Sequence, residues 1–98
     1  MKALPEQVVA YEQTPEFTES SVPAALLRSH RTKPGVWGVI RVLEGELVYR
    51  ILEPHVAEHV LAPGIDGIVE PANPHEVEPR GRVRFYVEFC RAPGEREI

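Results

Sequence analysis

The chain has one cysteine, Cys90, which excludes an internal disulfide and any cysteine-built metal framework. A reducing, cytoplasmic setting is the natural expectation. Asparagine also occurs once, and Glu far outnumbers Asp. Long apolar runs are missing, with none approaching the ~20 residues of a membrane-crossing helix. The opening Met1-Lys2-Ala3-Leu4-Pro5-Glu6 has no apolar stretch of the kind a signal peptide needs. Basic residues are in deficit: the net charge is −4, and no cluster of Lys and Arg offers the footprint nucleic acid requires. Helical periodicity is almost absent.

What remains is strand and turn. Ninety-eight residues suit one domain able to bury a core without staples. We divide it into a lead-in over 1–34, a barrel over 35–91 and a short tail, 92–98. In the lead-in, Val8-Val9-Ala10-Tyr11 reads as a short strand. Residues 21–28 read as a turn or two of helix, capped by Ser20 or Ser21, with Pro23 near its start. Residues 36–43 are β-branched and mostly apolar, as in a strand buried on both faces. Glu44-Gly45 reads as a tight turn into the strand 46–52, and 58–62, 67–70 and 75–78 follow as short strands. Residues 82–90 alternate cleanly, placing Val83, Phe85, Val87 and Phe89 on one face. Short, evenly spaced strands predict an all-β antiparallel sandwich or barrel with little helix.

Three segments carry a family likeness. The stretch Leu43 to Ile51, "LEGELVYRI", resembles the turn closing the first motif of cupins, which are small jelly-roll β-barrels. The stretch "GIVEPANPHEVEP", Gly67 to Pro79, resembles their second motif, where a proline turn delivers a metal-ligating histidine. The longer string "TPEFTESSVPAALLRSHRTKPGVWG" is similar to the small tellurite-resistance-like cupins, the TehB N-terminal and YeaR-like family. This likeness runs from Thr14 to Arg91 and implies an antiparallel jelly-roll barrel. Some members carry the domain ahead of a methyltransferase. The present chain has neither the room nor the glycine-rich loop for a nucleotide-binding fold, so methyl transfer is not expected of it.

The same likeness implies a pocket containing His30 and His75. An ordinary cupin supplies His-x-His, a following Glu and a later His. Here Thr32 replaces the second His, and Val36 and Trp37 stand where the Glu would fall. Two imidazoles hold a borderline metal weakly, and zinc, iron or nickel would want a third ligand. Glu88 is the candidate, because a carboxylate within an apolar strand is costly unless partnered. Alternation nevertheless sets Glu88 opposite the apolar face, so an outward surface charge is an equal reading. Glu70 and Glu44 are weaker alternatives. Lys33 is a natural charge partner for an anionic ligand. Trp37 is either core or a wall of the pocket. His55 and His59 read as solvated loop residues, and Cys90 as inert for want of an activating neighbour.

The function expected is therefore a metal-binding cupin that holds a small, oxyanion-like ligand beside a divalent metal in a stress or tellurite-resistance-like setting. A non-catalytic sensing module and an interaction domain with a vestigial pocket are the alternatives, and no catalytic residue is evident. A strand apolar on both faces leaves more apolar surface than one small barrel can hide, which predicts a homodimer, with Val8–Tyr11 near the interface. Light scattering at micromolar concentration checks this, since a mass near the single-chain 11.0 kDa would exclude the dimer.

Overall fold

The computed structural model describes residues 1–93; of the expected tail, positions 94–98 lie outside the described residues. The fold is almost wholly β, with one short 3-10 turn at Ala24–Leu27. The strands are β1 (Val9–Gln13), β2 (Phe17–Thr18), β3 (Trp37–Ile51), β4 (Ala57–Leu61), β5 (Gly67–Val69) and β6 (His75–Arg91). All pairings are antiparallel, in the order β1-β6-β3-β4, with β2 also on β6 and β5 also on β3. The all-β, helix-poor expectation holds. The sheet does not close on itself: β1 and β4 are its free ends. Among the described residues no helix is long and apolar enough to cross a membrane.

The tight turn expected at Glu44-Gly45 is corrected. Residues 37–51 form one strand, and so do residues 75–91, where two short strands were expected. β3 and β6 run against each other from Trp37↔Cys90 to Ile51↔His75, with irregularities between Val42 and Glu44 and between Gly45 and Glu46. Gly45 sits there with φ +79, and Gly81, on β6, has φ +64. These glycines supply left-handed backbone inside the ladder, so the paired strands bend together instead of reversing. A Cβ at Gly45 would lie 2.0 Å from the Arg82 carbonyl oxygen. Only glycine fits that approach.

The bend turns one long ladder into two facing halves. The first half of β3 pairs with β5, and the second half with β4. Ile40, Phe85 and Val87 from one half join Leu47, Tyr49, Leu61 and Val77 from the other in a single core cluster. Leu47, Leu61 and Phe85 are wholly buried, and side chains of this size contribute about 1.5–3 kcal/mol each on leaving water. The halves meet at Gly67, where an added Cβ would lie 2.8 Å from Leu61. Tyr49 donates a hydrogen bond from its Oη to the Ile68 carbonyl, at 2.9 Å.

The lead-in is part of the sheet rather than an approach to it. β1 pairs with residues 88–91 of β6 and β2 with Phe85 and Arg84. Between them the Thr14 amide donates to the Val87 carbonyl at 2.9 Å, and the Val87 amide donates to Thr14 Oγ1 at 3.0 Å. The Glu19 carboxylate accepts from the Val83 amide. The helix expected at 21–28 shortens to the 3-10 turn and has no side-chain cap, because Ser21 Oγ accepts from the Thr18 amide instead. Beyond β2 the chain leaves β6 and straps across the apolar face of the sheet.

Gly45→Ala should lower the stability to urea by more than ~2 kcal/mol, because steric overlap adds to the left-handed backbone cost. Gly64 has φ +86 and open space around it, so Gly64→Ala should cost only about 1 kcal/mol. Equal shifts in the two unfolding midpoints would refute the steric account of the bend.

Candidate functional site

The strap and the sheet enclose a cavity of about 210 Å³. From the strap come Phe17, Pro23, Ala25, Leu26, His30 and Thr32; from the sheet come Ile40, Val69, His75, Val77, Phe85 and Val87, with Thr14 and Phe89 at its margins. Phe17 is seated edge-on against Phe85, with ring centroids 5.7 Å apart. The apolar character follows from strand alternation. Phe85, Val87 and Phe89 point inward from β6, as the period-2 pattern of 82–90 predicts, and Val77 from the first part of β6 joins them.

Backbone pairing brings the two histidines into this cavity. His30 and His75 form an isolated antiparallel bridge, with N–H to carbonyl distances of 2.7 and 2.9 Å. Their rings stand edge to face at 5.4 Å. The strap is tied to the turn before β6 at two further points. Arg31 Nη1 donates to the Ala72 carbonyl at 3.1 Å, and the Ala72 amide donates to Thr32 Oγ1 at 3.2 Å. Ala72 itself has φ 58, a left-handed conformation rarely tolerated outside glycine unless its surroundings fix it. Nothing in the sequence marked Ala72.

His75 is 5% exposed. Its Nδ1 lies 3.2 Å from the Asn73 carbonyl oxygen, an acceptor, which assigns the proton to Nδ1 and leaves Nε2 as the free lone pair. Burial pushes the His75 pKa below its usual 6.5, the Asn73 hydrogen bond opposes that shift, and the neighbouring His30 reinforces it. His30 Nδ1 is buried with no hydrogen-bond partner. The two threonine hydroxyls are already committed: Thr32 Oγ1 donates to the Val36 carbonyl, and Thr14 Oγ1 to that of Pro15. The open polar capacity of the cavity therefore rests on imidazole.

The other expected residues lie elsewhere. Glu88 points to the opposite face of the sheet, where it pairs with Arg41, and Arg41 also bonds Asp66 at 2.9 Å. That outward position is the alternative its alternation had left open. Trp37 is half-buried opposite Cys90, on the face away from His30 and His75. Lys33 lies outside the apolar cavity, beside a second one. Glu44 pairs with Arg84 and Glu70 with Lys2. Cys90 is buried, and burial pushes its thiol pKa up, away from the reactive thiolate. His55 is exposed, whereas His59 is not the solvated residue expected. His59 sits in β4 opposite Tyr49, half-buried, with Nε2 unpartnered, because Tyr49 draws it onto the core face.

The expected metal centre is not there. Among the described residues no three His, Cys, Asp or Glu side chains are grouped to hold an ion. Two imidazoles meeting edge to face, with Glu88 across the sheet, do not make the zinc, iron or nickel site anticipated. Sequence comparison points away from it as well. A family model described as the TehB-like domain matches residues 12–87. Two strains of Haemophilus influenzae have proteins named probable S-adenosyl-L-methionine-dependent methyltransferase TehB, each 34% identical over 76 residues, 74% of this chain. The chain spans only 27% of those relatives' length. The crystal structure of Haemophilus influenzae TehB superposes with a TM-score of 0.81 at 29% identity, covering 89% of this chain and 32% of that one. A crystal structure from Escherichia coli K12 shares the fold, with a TM-score of 0.83 at 24% identity over 95% of this chain and 99% of the other. The named relatives are methyltransferases, so the reading as a metal-binding cupin with a divalent-metal cofactor is overturned.

Because the folded His75 binds its proton more weakly than the unfolded one, it contributes stability that is complete above about pH 6.5 and lost as pH falls toward its lowered folded pKa. Urea midpoints should therefore drop between pH 7.5 and 5.5. His75→Gln should flatten that drop, and an unchanged slope would show that His75 is not its source.

Proposed function

The chain belongs to the TehB-like domain family, and from that premise we propose that it is a small-molecule-binding β-domain serving S-adenosyl-L-methionine-dependent methyl transfer. Its cavity takes the apolar body of a methyl acceptor or a methylated product. One observation carries this reading: the space between strap and sheet is walled by aliphatic and phenyl side chains, with His30 and His75 its only titratable groups among the described residues. Concave, mostly apolar sites with a few convergent polar atoms are where small molecules bind. The unpartnered His30 Nδ1 is a buried polar atom whose burial costs about 1–3 kcal/mol, a cost that a ligand hydroxyl or N–H would offset.

S-adenosyl-L-methionine itself does not fit these residues. It presents a zwitterionic amino-acid end, a sulfonium and a ribose diol, and it calls for a carboxylate on the ribose and backbone donors from a glycine-rich turn. Among the described residues, the cavity walls hold no carboxylate and no glycine. No step of methyl transfer is therefore assigned to these side chains. Their contribution is to bind and orient: the apolar walls exclude water, His75 Nε2 offers a lone pair, and His30 Nδ1 offers one further hydrogen bond.

Titration with 1-hexanol, followed by two-dimensional amide NMR, tests this. Saturable shifts are expected at residues 25, 30, 75, 77 and 87. Ala25→Trp, an exposed position at the cavity mouth, should weaken hexanol binding at least ~tenfold, equivalent to 1.4 kcal/mol, without changing the unfolding midpoint. Saturable shifts of the same amides by S-adenosyl-L-methionine, or none by hexanol, would overturn the reading.

A further inference from the structure

A second cavity, of about 230 Å³, lies against the first. The same three residues, His30, Thr32 and Phe89, wall both. Its other walls differ in kind: Arg31, Lys33 and Tyr11 line it, with Glu12 as the one carboxylate among the described residues. Arg91 adds a further cation beside it, its guanidinium 4.1 Å from the centre of the Tyr11 ring. The chain as a whole carries −4, yet residues 28–33, "RSHRTK", hold three cations and no acid. Arg31 is fixed by the Ala72 carbonyl and by a loose pairing with Glu53 at 3.9 Å. Lys33 is exposed and has no ion pair among the described residues.

From this juxtaposition we infer that the ligand is a small organic monocarboxylate, whose anionic head sits in the basic outer cavity against Lys33 and Arg31 while its short apolar body passes His30 into the inner one. The inference rests on the inner cavity being a ligand site, and it adds the head group that site selects. A free inorganic oxyanion satisfies only the outer half, and a neutral alcohol only the inner. A carboxylate on a short aliphatic chain satisfies both. Its negative charge stays at the partly solvated rim, where pairing with Lys33 avoids the desolvation that entry into the apolar half would impose. His30 stands at the junction, with its unpartnered Nδ1 beside the path between the two.

Hexanoate and 1-hexanol have the same chain length and differ only at the head, so their binding at pH 7.5 and low salt isolates the outer cavity. We expect hexanoate to bind about fivefold more tightly than hexanol, the upper end for one partly exposed ion pair, and most of that advantage to vanish in ~1 M salt, where the screening length is about 3 Å. The variant Lys33→Gln changes an exposed side chain that ties no part of the strap, and it should erase most of the preference while leaving hexanol binding as it was. If hexanol binds and hexanoate binds no better, the head-group inference is overturned and the apolar site stands. If neither ligand binds, the underlying site reading fails and takes the inference with it.

Discussion

The approach of the Gly45 backbone to the Arg82 carbonyl is the constraint from which the remaining geometry follows. β3 and β6 are each long enough to make a flat two-stranded ribbon, which would bury nothing. Left-handed glycines at 45 and 81 bend both strands at the same level and fold the ladder over itself. β4 and β5 then become the flanks of opposite halves, and Tyr49 can reach from one half to the Ile68 carbonyl in the other. The strap crosses the concave side of this bend. A cavity exists there because the strap spans the two halves with a 3-10 turn and extended chain, neither of which fills the space a full helix would.

The strap is fastened at both ends by backbone bonds. At one end Thr14, β2 and Glu19 follow β6; at the other the His30–His75 bridge joins the Arg31 and Thr32 contacts to Ala72. Main-chain geometry therefore decides where the His30 ring falls, while Val22 and Leu26 between the anchors pack on the core. That explains how an imidazole nitrogen can be buried with no partner. His30 is carried inward by the bridge it makes through its backbone, whatever its ring finds there. Unsatisfied buried polar groups are uncommon in folded proteins, and one at the wall between an apolar and a basic cavity is a reason to expect a ligand there.

Much of this was legible in the sequence where periodicity alone decided the outcome. The inward face of residues 82–90, the all-β class and the pairing of His30 with His75 in one cavity all came from local pattern or family likeness. The failures came from treating glycine and proline as strand ends. Gly45 lies between a strand apolar on both faces and one of clean alternation, which reads as a hairpin. Only the partner strand, bending at Gly81 by the same device, shows it to be a bulge, and that information is 36 residues away in the chain. Glu88 illustrates a different limit. Its alternation placed it outside, its chemistry argued for a partner, and both were correct: the partner, Arg41, lies on the outer face. His59 fell within the strand expected over 58–62, but it was read as solvated because only the pairing with Tyr49 shows that its ring lies on the core face.

The division of charge across the molecule bears on what the cavity can be. The ion pairs of the outer face, Arg41 with Glu88 and with Asp66 just before β5, and Arg50 with Glu58, Glu76 and Glu78 on the neighbouring strands, keep these charges off the inner face. Such cross-strand pairs are worth little individually, but they confine the formal charges of the long strands to the side away from the cavity. The inner chamber is then low in dielectric, and there His75 is held neutral and a free lone pair or N–H counts for more than it would in water. Cations of the strap segment 28–33 sit outside that chamber and against its wall. An apolar interior with a charged rim selects molecules that are themselves divided in this way, and it disfavours both compact inorganic ions and ligands charged along their whole length.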